Sequence, residues 1–271
     1  FNIMKIYDFN KELFFLVGLP RSGNTFFSSL MNQNPDIGVT SNSICLEIYK
    51  DVFLLKETDT FCNYPDHKSL DNVLRNVYKN YYEHWPQKYI IERGPVLTTG
   101  NQMLIEKYLN QPVKCIILWR DLIDVIASYI KWFENEPTAF INKIGLKTVE
   151  EKIMRLMNKD GIIAKSLNAI QNALTPKNRS KCHFIRYENL VSNPEKEIKK
   201  VYSFLNIPYF DHNYNHIEQY SLNDMSYNDD ILGNNLHTIK SQIKLEENPY
   251  KKMIPDSIIK KYGHIKLWNL K

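Results

Sequence analysis

Nowhere in the 271 residues do about 18 apolar side chains run together. The N-terminus alternates polar and apolar residues and lacks the pattern of a signal peptide. These absences argue against a membrane span and predict a soluble chain, placed in the cytoplasm. Cysteines are few and scattered: Cys45, Cys62, Cys115 and Cys182 show neither paired metal-ligand spacing nor a Cys-x-x-Cys redox motif. They read as buried thiols in a reducing compartment, with no metal site expected. Internal repeats and low-complexity linkers are also missing, so one domain over residues 1–271 is expected. Basic residues are dispersed and no recognition motif appears, which argues against a nucleic-acid partner. A formal charge of +5 permits an anionic ligand without requiring one.

What is present suffices for a large core, with 43% hydrophobic and 13% aromatic residues. Apolar runs that read as buried strands lie at Leu13 to Val17, Tyr89 to Ile91, Val113 to Trp119 and Cys182 to Ile185. Helical patterns follow at Asn24 to Asn32, Gly100 to Leu109, Leu122 to Phe133 and Pro194 to Leu205, and another spans about Pro255 to Tyr262. Strands apolar on both faces and alternating with helices indicate a parallel sheet covered on both sides. The fold class is therefore α/β, a P-loop-type three-layer sandwich. Segments near 43–84 and 134–175 read as helical insertions over the strand ends, where open α/β sheets bind ligands.

The stretch "VGLPRSGNTFFSSL" joins the first strand to the first helix. Gly18-x4-Gly23-Asn24-Thr25 has the spacing of a phosphate loop, but Asn24 stands where a nucleotide hydrolase carries lysine. Backbone N–H groups in such a loop converge on an anion, and the helix N-terminus adds positive potential. Arg21 can replace the missing cation. A magnesium-dependent enzyme also needs an aspartate ending a nearby strand, whereas "CIILW" runs into Arg120 before Asp121. That pattern suits a ligand with a second phosphate and no required metal, although the glycines also suit a plain tight turn.

In "LWRDLIDVIASYIKW", Arg120 and Ser128 flank a helix start, while Asp121 and Asp124 have the spacing of helix-capping residues. Asn193-Pro194 likewise reads as a cap followed by proline at the first helical position. "PRSGNT", "RDLIDVIASY" and "IRYENLVSNPEKEIKKVYSFLNIP", in this order, resemble the sulfotransferases that use 3'-phosphoadenosine 5'-phosphosulfate (PAPS). The likeness is nearer to the tyrosylprotein and glycan enzymes than to the cytosolic small-molecule branch.

The resemblance implies a 5'-phosphosulfate loop at Arg21, Ser22, Gly23, Asn24 and Thr25, with Phe26 against adenine. It implies a 3'-phosphate site at Arg120 and Ser128, Tyr187 near the adenine, and a further basic contact at Lys240 in "HTIKSQIK". Arg21 would neutralise the departing phosphate, and Arg93 in "YIIERGPVL" would contact the sulfuryl group, unless it only pairs with Glu92. The product would be 3'-phosphoadenosine 5'-phosphate (PAP).

The base departs from the family's patterns. Gly94 replaces a histidine of the cytosolic branch, and Ser41, Asn42 and Ser43 occupy the region of a glutamate in the other. Glu47 is the first candidate, expected to be buried near the nucleotide, followed by His67 and Glu92. Alternatives are a P-loop kinase-like phosphotransferase and a nucleotide-binding module without catalysis. A hydroxyl or amine acceptor is expected, and glycan, lipid, peptide tyrosine and small alcohol all stay open, as does the oligomeric state. Tyr49, Tyr64, Tyr81, Tyr82, Trp85 and Trp132 suit either stacking on an acceptor or packing the insertions.

Overall fold

A computed structural model describes residues 10–41, 43–109, 111–231, 236–239, 245 and 247–266. The short apolar runs form one parallel sheet of five strands: β1 (Glu12–Gly18), β2 (Ile37–Val39), β3 (Tyr89–Arg93), β4 (Cys115–Trp119) and β5 (Cys182–Arg186). Their order is β2-β3-β1-β4-β5. β1 is central and pairs in parallel with both β3 and β4. From the centre, β1 connects to β2 at one edge and β4 to β5 at the other, so the carboxyl ends of β1 and β4 flank the crevice where such sheets bind ligands.

Side chains alternate across each strand, and the two faces bury different sets. Leu13, Phe15, Val17, Ile90 and Ile117 belong to one cluster; Phe14, Leu16, Ile91, Ile116 and Leu118 belong to the other. The second face is covered by α1 (Asn24–Met31) and by α11 and α12, described below. The first receives α2 (Cys45–Leu54), α4 (His67–Tyr82), α5 (Thr99–Tyr108) and α6 (Leu122–Asn135) on its side of the molecule, with the short α3 (Asp59–Asn63) between α2 and α4 in the chain. α7 (Phe140–Lys143), α8 (Val149–Met157), α9 (Ile162–Ala173) and α10 (Pro176–Arg179) complete the middle of the chain. α11 (Tyr187–Ser192) and α12 (Pro194–Leu205) follow β5, then a hairpin of β6 (Ser221–Leu222) and β7 (Met225–Ser226), and finally α13 (Asp256–Tyr262).

Helix ends follow local chemistry. Asp121 caps α6 by accepting from Ile123 N at 2.9 Å, and its other oxygen meets Lys266 Nζ at 2.9 Å. Asp124 pairs with Lys251 at 2.6 Å. Asn193 caps α12, with Pro194 in its first turn.

Two features differ from the expected pattern. β2 is only "IGV", too short for periodicity to register, and Gly38 lets the Trp85 ring approach: a Cβ there would lie 3.2 Å from it. Within the segment 134–175, Ile163, Leu167 and Ile170 of α9 join the core of the first face, because that face needs an apolar cover. Most of the aromatic residues of the first insertion pack rather than protrude. Tyr49, Tyr82 and Trp85 are buried, whereas Tyr64 is exposed.

Candidate active site

At the end of β1 the chain turns through Leu19–Gly23 into α1. The loop is tied down by Leu19 N donating to Leu118 O at 3.0 Å and Ser22 N donating to Leu19 O at 3.3 Å. Gly23 (φ 83°) and Arg21 (φ 64°) adopt left-handed backbone, which turns successive amides toward one side. Phe27 N is the first α1 amide to find a backbone acceptor, Gly23 O at 2.8 Å. No side chain caps this helix, and no acid lies in its first turn. The amides before Phe27 are therefore available to an anion.

The side chains of this loop divide in an unexpected way. Asn24 turns inward: its Nδ2 donates to Leu19 O at 2.7 Å, and Ser22 Oγ donates to the same carbonyl at 2.5 Å. Both hold the loop's shape, leaving backbone amides rather than side chains for a ligand. Phe26, expected against adenine, is 5% exposed and belongs to the core of the α1 face, because the first turn of an amphipathic helix directs it at the sheet. Gly18 is required by Asn24. A Cβ at Gly18 would stand 1.9 Å from Asn24 Oδ1. Gly18→Ala is expected to lower stability by about 2–4 kcal/mol in denaturant titration. Adding Asn24→Ala should restore part of that loss, and a purely additive double variant would refute the steric account.

Around the loop the cationic residues converge. Arg21 Nε donates to Ser128 Oγ at 3.0 Å, and its Nη1 donates to Leu236 O at 2.7 Å. Arg120 Nη1 reaches Arg21 O at 3.2 Å, and its guanidinium lies 4.2 Å from the centre of the Tyr187 ring. That ring also covers Gly23: a Cβ there would come within 2.9 Å of it. Arg21, Gly23, Arg120, Ser128 and Tyr187, drawn from three separate stretches of sequence, thus form one constellation.

Its electrostatics are unbalanced. Burial pushes the Arg21 guanidinium below its usual range, and Arg120 beside it adds to the fall. Arg120 Nε is buried with no hydrogen-bond acceptor among the described residues; the nearest acid, Glu188, stands at 4.0 Å and is shared with Arg186 at 2.6 Å. Two neighbouring cations with an orphaned donor constitute a site for an anion.

Arg93 ends β3. Its N–H donates to Thr40 Oγ1 and its Nη1 to the Tyr227 hydroxyl, both at 2.8 Å. It does not pair with Glu92, since adjacent strand residues face opposite sides of the sheet. The Tyr129 hydroxyl is pushed up to about 12 by burial, against the pull of both Arg21 and Arg93. Tyr129 therefore lies within electrostatic reach of both Arg93 and Arg21 of the phosphate loop.

The acids and histidines are distributed differently from the sequence-based expectation. Glu47 is exposed in the first turn of α2, and His67 is exposed at the start of α4. Of the candidate acids, Glu92 is the buried one, 1% exposed, with neither oxygen hydrogen-bonded among the described residues. Burial, aided by the charge of Glu47, pushes it up to about 8 against the influence of Ser43. Lys240 and Asn42 lie outside the described residues. His237, three residues before Lys240, faces the site and was not singled out from the sequence. Its only signal there is proximity to that basic segment. No three His, Cys, Asp or Glu residues come together as candidate metal ligands among the described residues.

Comparison with known proteins agrees with this architecture. Residues 11–253 match the profile of the sulfotransferase domain. A protein of Caenorhabditis briggsae named as a protein-tyrosine sulfotransferase is 24% identical over 239 residues, covering 84% of this chain and 79% of its own. The sulfotransferase domain of the Synechococcus PCC 7002 olefin synthase shares the fold, with 14% identity, coverage of 97% and 98%, and a TM-score of 0.54. A sulfotransferase from Alicyclobacillus acidocaldarius aligns over 73% of this chain and 82% of its own at 16% identity and a TM-score of 0.49. With its profile match spanning most of its length, this chain belongs to the sulfotransferase domain family.

Proposed function

We propose that this sulfotransferase takes its sulfuryl group from PAPS and that the Arg21–Arg120 constellation holds the nucleotide. The observation that carries this reading is the pair of adjacent arginines, one with an orphaned buried donor, beside an uncapped helix N-terminus. PAPS, when bound, supplies the sulfuryl group and a 5'-phosphate as leaving group. The amides of Gly23, Asn24 and Thr25 bind the 5' end, with Ser22 and the Asn24 side chain fixing their directions. Arg120 and Ser128 bind the 3'-phosphate, and Tyr187 holds Arg120 in place through its ring face. Arg21 neutralises charge on the departing phosphate, and Arg93 orients the transferring group.

The acceptor is a hydroxyl or amine. Similarity to the nematode protein makes a tyrosine phenol the first acceptor to assay. The described cysteines are free thiols, which supports a reducing, cytoplasmic location. Among the described residues no helix is long and apolar enough to cross a membrane.

Calorimetry with PAP and with 5'-AMP, each with and without magnesium, tests the donor. PAP should bind tightly without metal and 5'-AMP weakly; equal affinities would refute the assignment. Arg120→Ala should weaken PAP binding about 100-fold while changing affinity for adenosine 5'-phosphosulfate little. Equal losses for both would remove Arg120 from the 3'-phosphate.

A further inference from the structure

The reaction needs a group to take the acceptor's proton, and the acids weighed above are poorly suited to it. Glu92 holds its proton at neutral pH, and Glu47 is exposed. A different pair lies beside the arginines. His237 Nδ1 stands 2.5 Å from Asp229 Oδ1, and His237 N donates to Asp229 Oδ2 at 2.9 Å, so one carboxylate fixes both backbone and ring. The ring of Tyr227 lies 3.8 Å from that of His237 at an interplanar angle of 6°, and Tyr227 in turn accepts from Arg93. On the other side, Leu236, the residue before His237, gives its carbonyl to Arg21. The imidazole is thereby anchored to both cations assigned to the reacting end of the donor.

We propose that His237 is the general base of this sulfotransferase and that Asp229 is its positioning residue, an inference that rests on the PAPS reading above. Asp229 accepts the Nδ1–H, which leaves Nε2 unprotonated and able to take a proton. As the acceptor oxygen bonds to sulfur, its proton passes to His237 Nε2. The bond from sulfur to the 5'-phosphate oxygen breaks, and its electron pair stays on that oxygen beside Arg21. No oxidant or metal enters the balance. Burial pushes the imidazole below its usual range; Arg93 and Arg21 push the same way, and Asp229 opposes them. His237 is consequently neutral, and competent as a base, at pH 7.

Nitrogen-15 NMR of the ligand-free protein, with the signal assigned by its loss in His237→Gln, should show an Nδ1–H tautomer titrating below 6.5. An Nε2–H tautomer would overturn the proposal. PAP release from PAPS, with tyramine as acceptor and with water alone, supplies the kinetic arm. His237→Gln should retain PAP affinity within about threefold by calorimetry yet lose on the order of 100-fold or more in turnover, together with the acid limb of its pH profile. Asp229→Asn should lose about tenfold and shift that limb. Unchanged turnover, or an acid limb near 8 that vanishes in Glu92→Gln, would exclude His237. Failure of the unmodified protein to bind PAP would overturn the donor reading first, and this one with it; normal PAP binding with an intact limb in His237→Gln would overturn the base alone.

Discussion

Arg21→Ala is expected to reduce the single-turnover rate of PAP release from PAPS by about 100- to 1000-fold, while PAP affinity falls less than about tenfold. The asymmetry follows from position. Arg21 is enclosed beside Arg120, with Ser128 Oγ and Leu236 O as its acceptors, so it is aligned before any ligand arrives. A preorganised charge helps most where negative charge is growing, which is on the departing phosphate oxygen. In the ground state the nucleotide still has the α1 amides at its 5'-phosphate and Arg120 at its 3'-phosphate. Arg21→Lys should fall between the two, because one ammonium cannot serve Ser128 and the carbonyl with the same planar fork. Turnover that stays unchanged in Arg21→Ala would exclude the leaving-group role.

Glu92→Gln should raise the thermal unfolding midpoint, with a gain that widens from pH 5 to pH 8. The folded carboxyl keeps its proton up to about 8, whereas the unfolded one releases it near its ordinary value of 4.5. Between those limits the unfolded state binds fewer protons than the folded state. Wild-type stability therefore falls as pH rises, by about 1.4 kcal/mol per unit from this group. Glutamine has the same shape and cannot ionise, so it lacks that slope. The difference between the two proteins should grow by on the order of 3 °C per pH unit. Parallel curves would show that Glu92 is ionised in the folded state.

Much of the scaffold could be read in advance because its signals are local. A buried strand, a glycine-spaced loop and an amphipathic helix lie within twenty residues of one another, and Arg120 and Ser128 are fixed relative to each other by one helix. Tyr187 is singled out by resemblance, as a residue near adenine; its contact with Gly23 is visible only in the fold. What the sequence concealed depends on side-chain direction and distant packing. Asn24 and Phe26 lie in the motif but turn inward, one to a carbonyl and the other to the core. Glu92 looks like the partner of Arg93 until strand alternation sends them to opposite faces. His237 and Asp229 meet across an Asn-rich stretch without periodicity, where no spacing rule applies.

The backbone of Arg21 carries one further implication. Its φ of 64° belongs to a region that side chains with a Cβ enter at a cost of about 1–2 kcal/mol. Glycine would relax that turn and remove the guanidinium, so a search for more stable variants would drift toward an inert loop. Thermostability screens on this chain thus select against its chemistry at position 21 unless turnover is scored alongside, and the strained arginine marks where durability and catalysis are in competition.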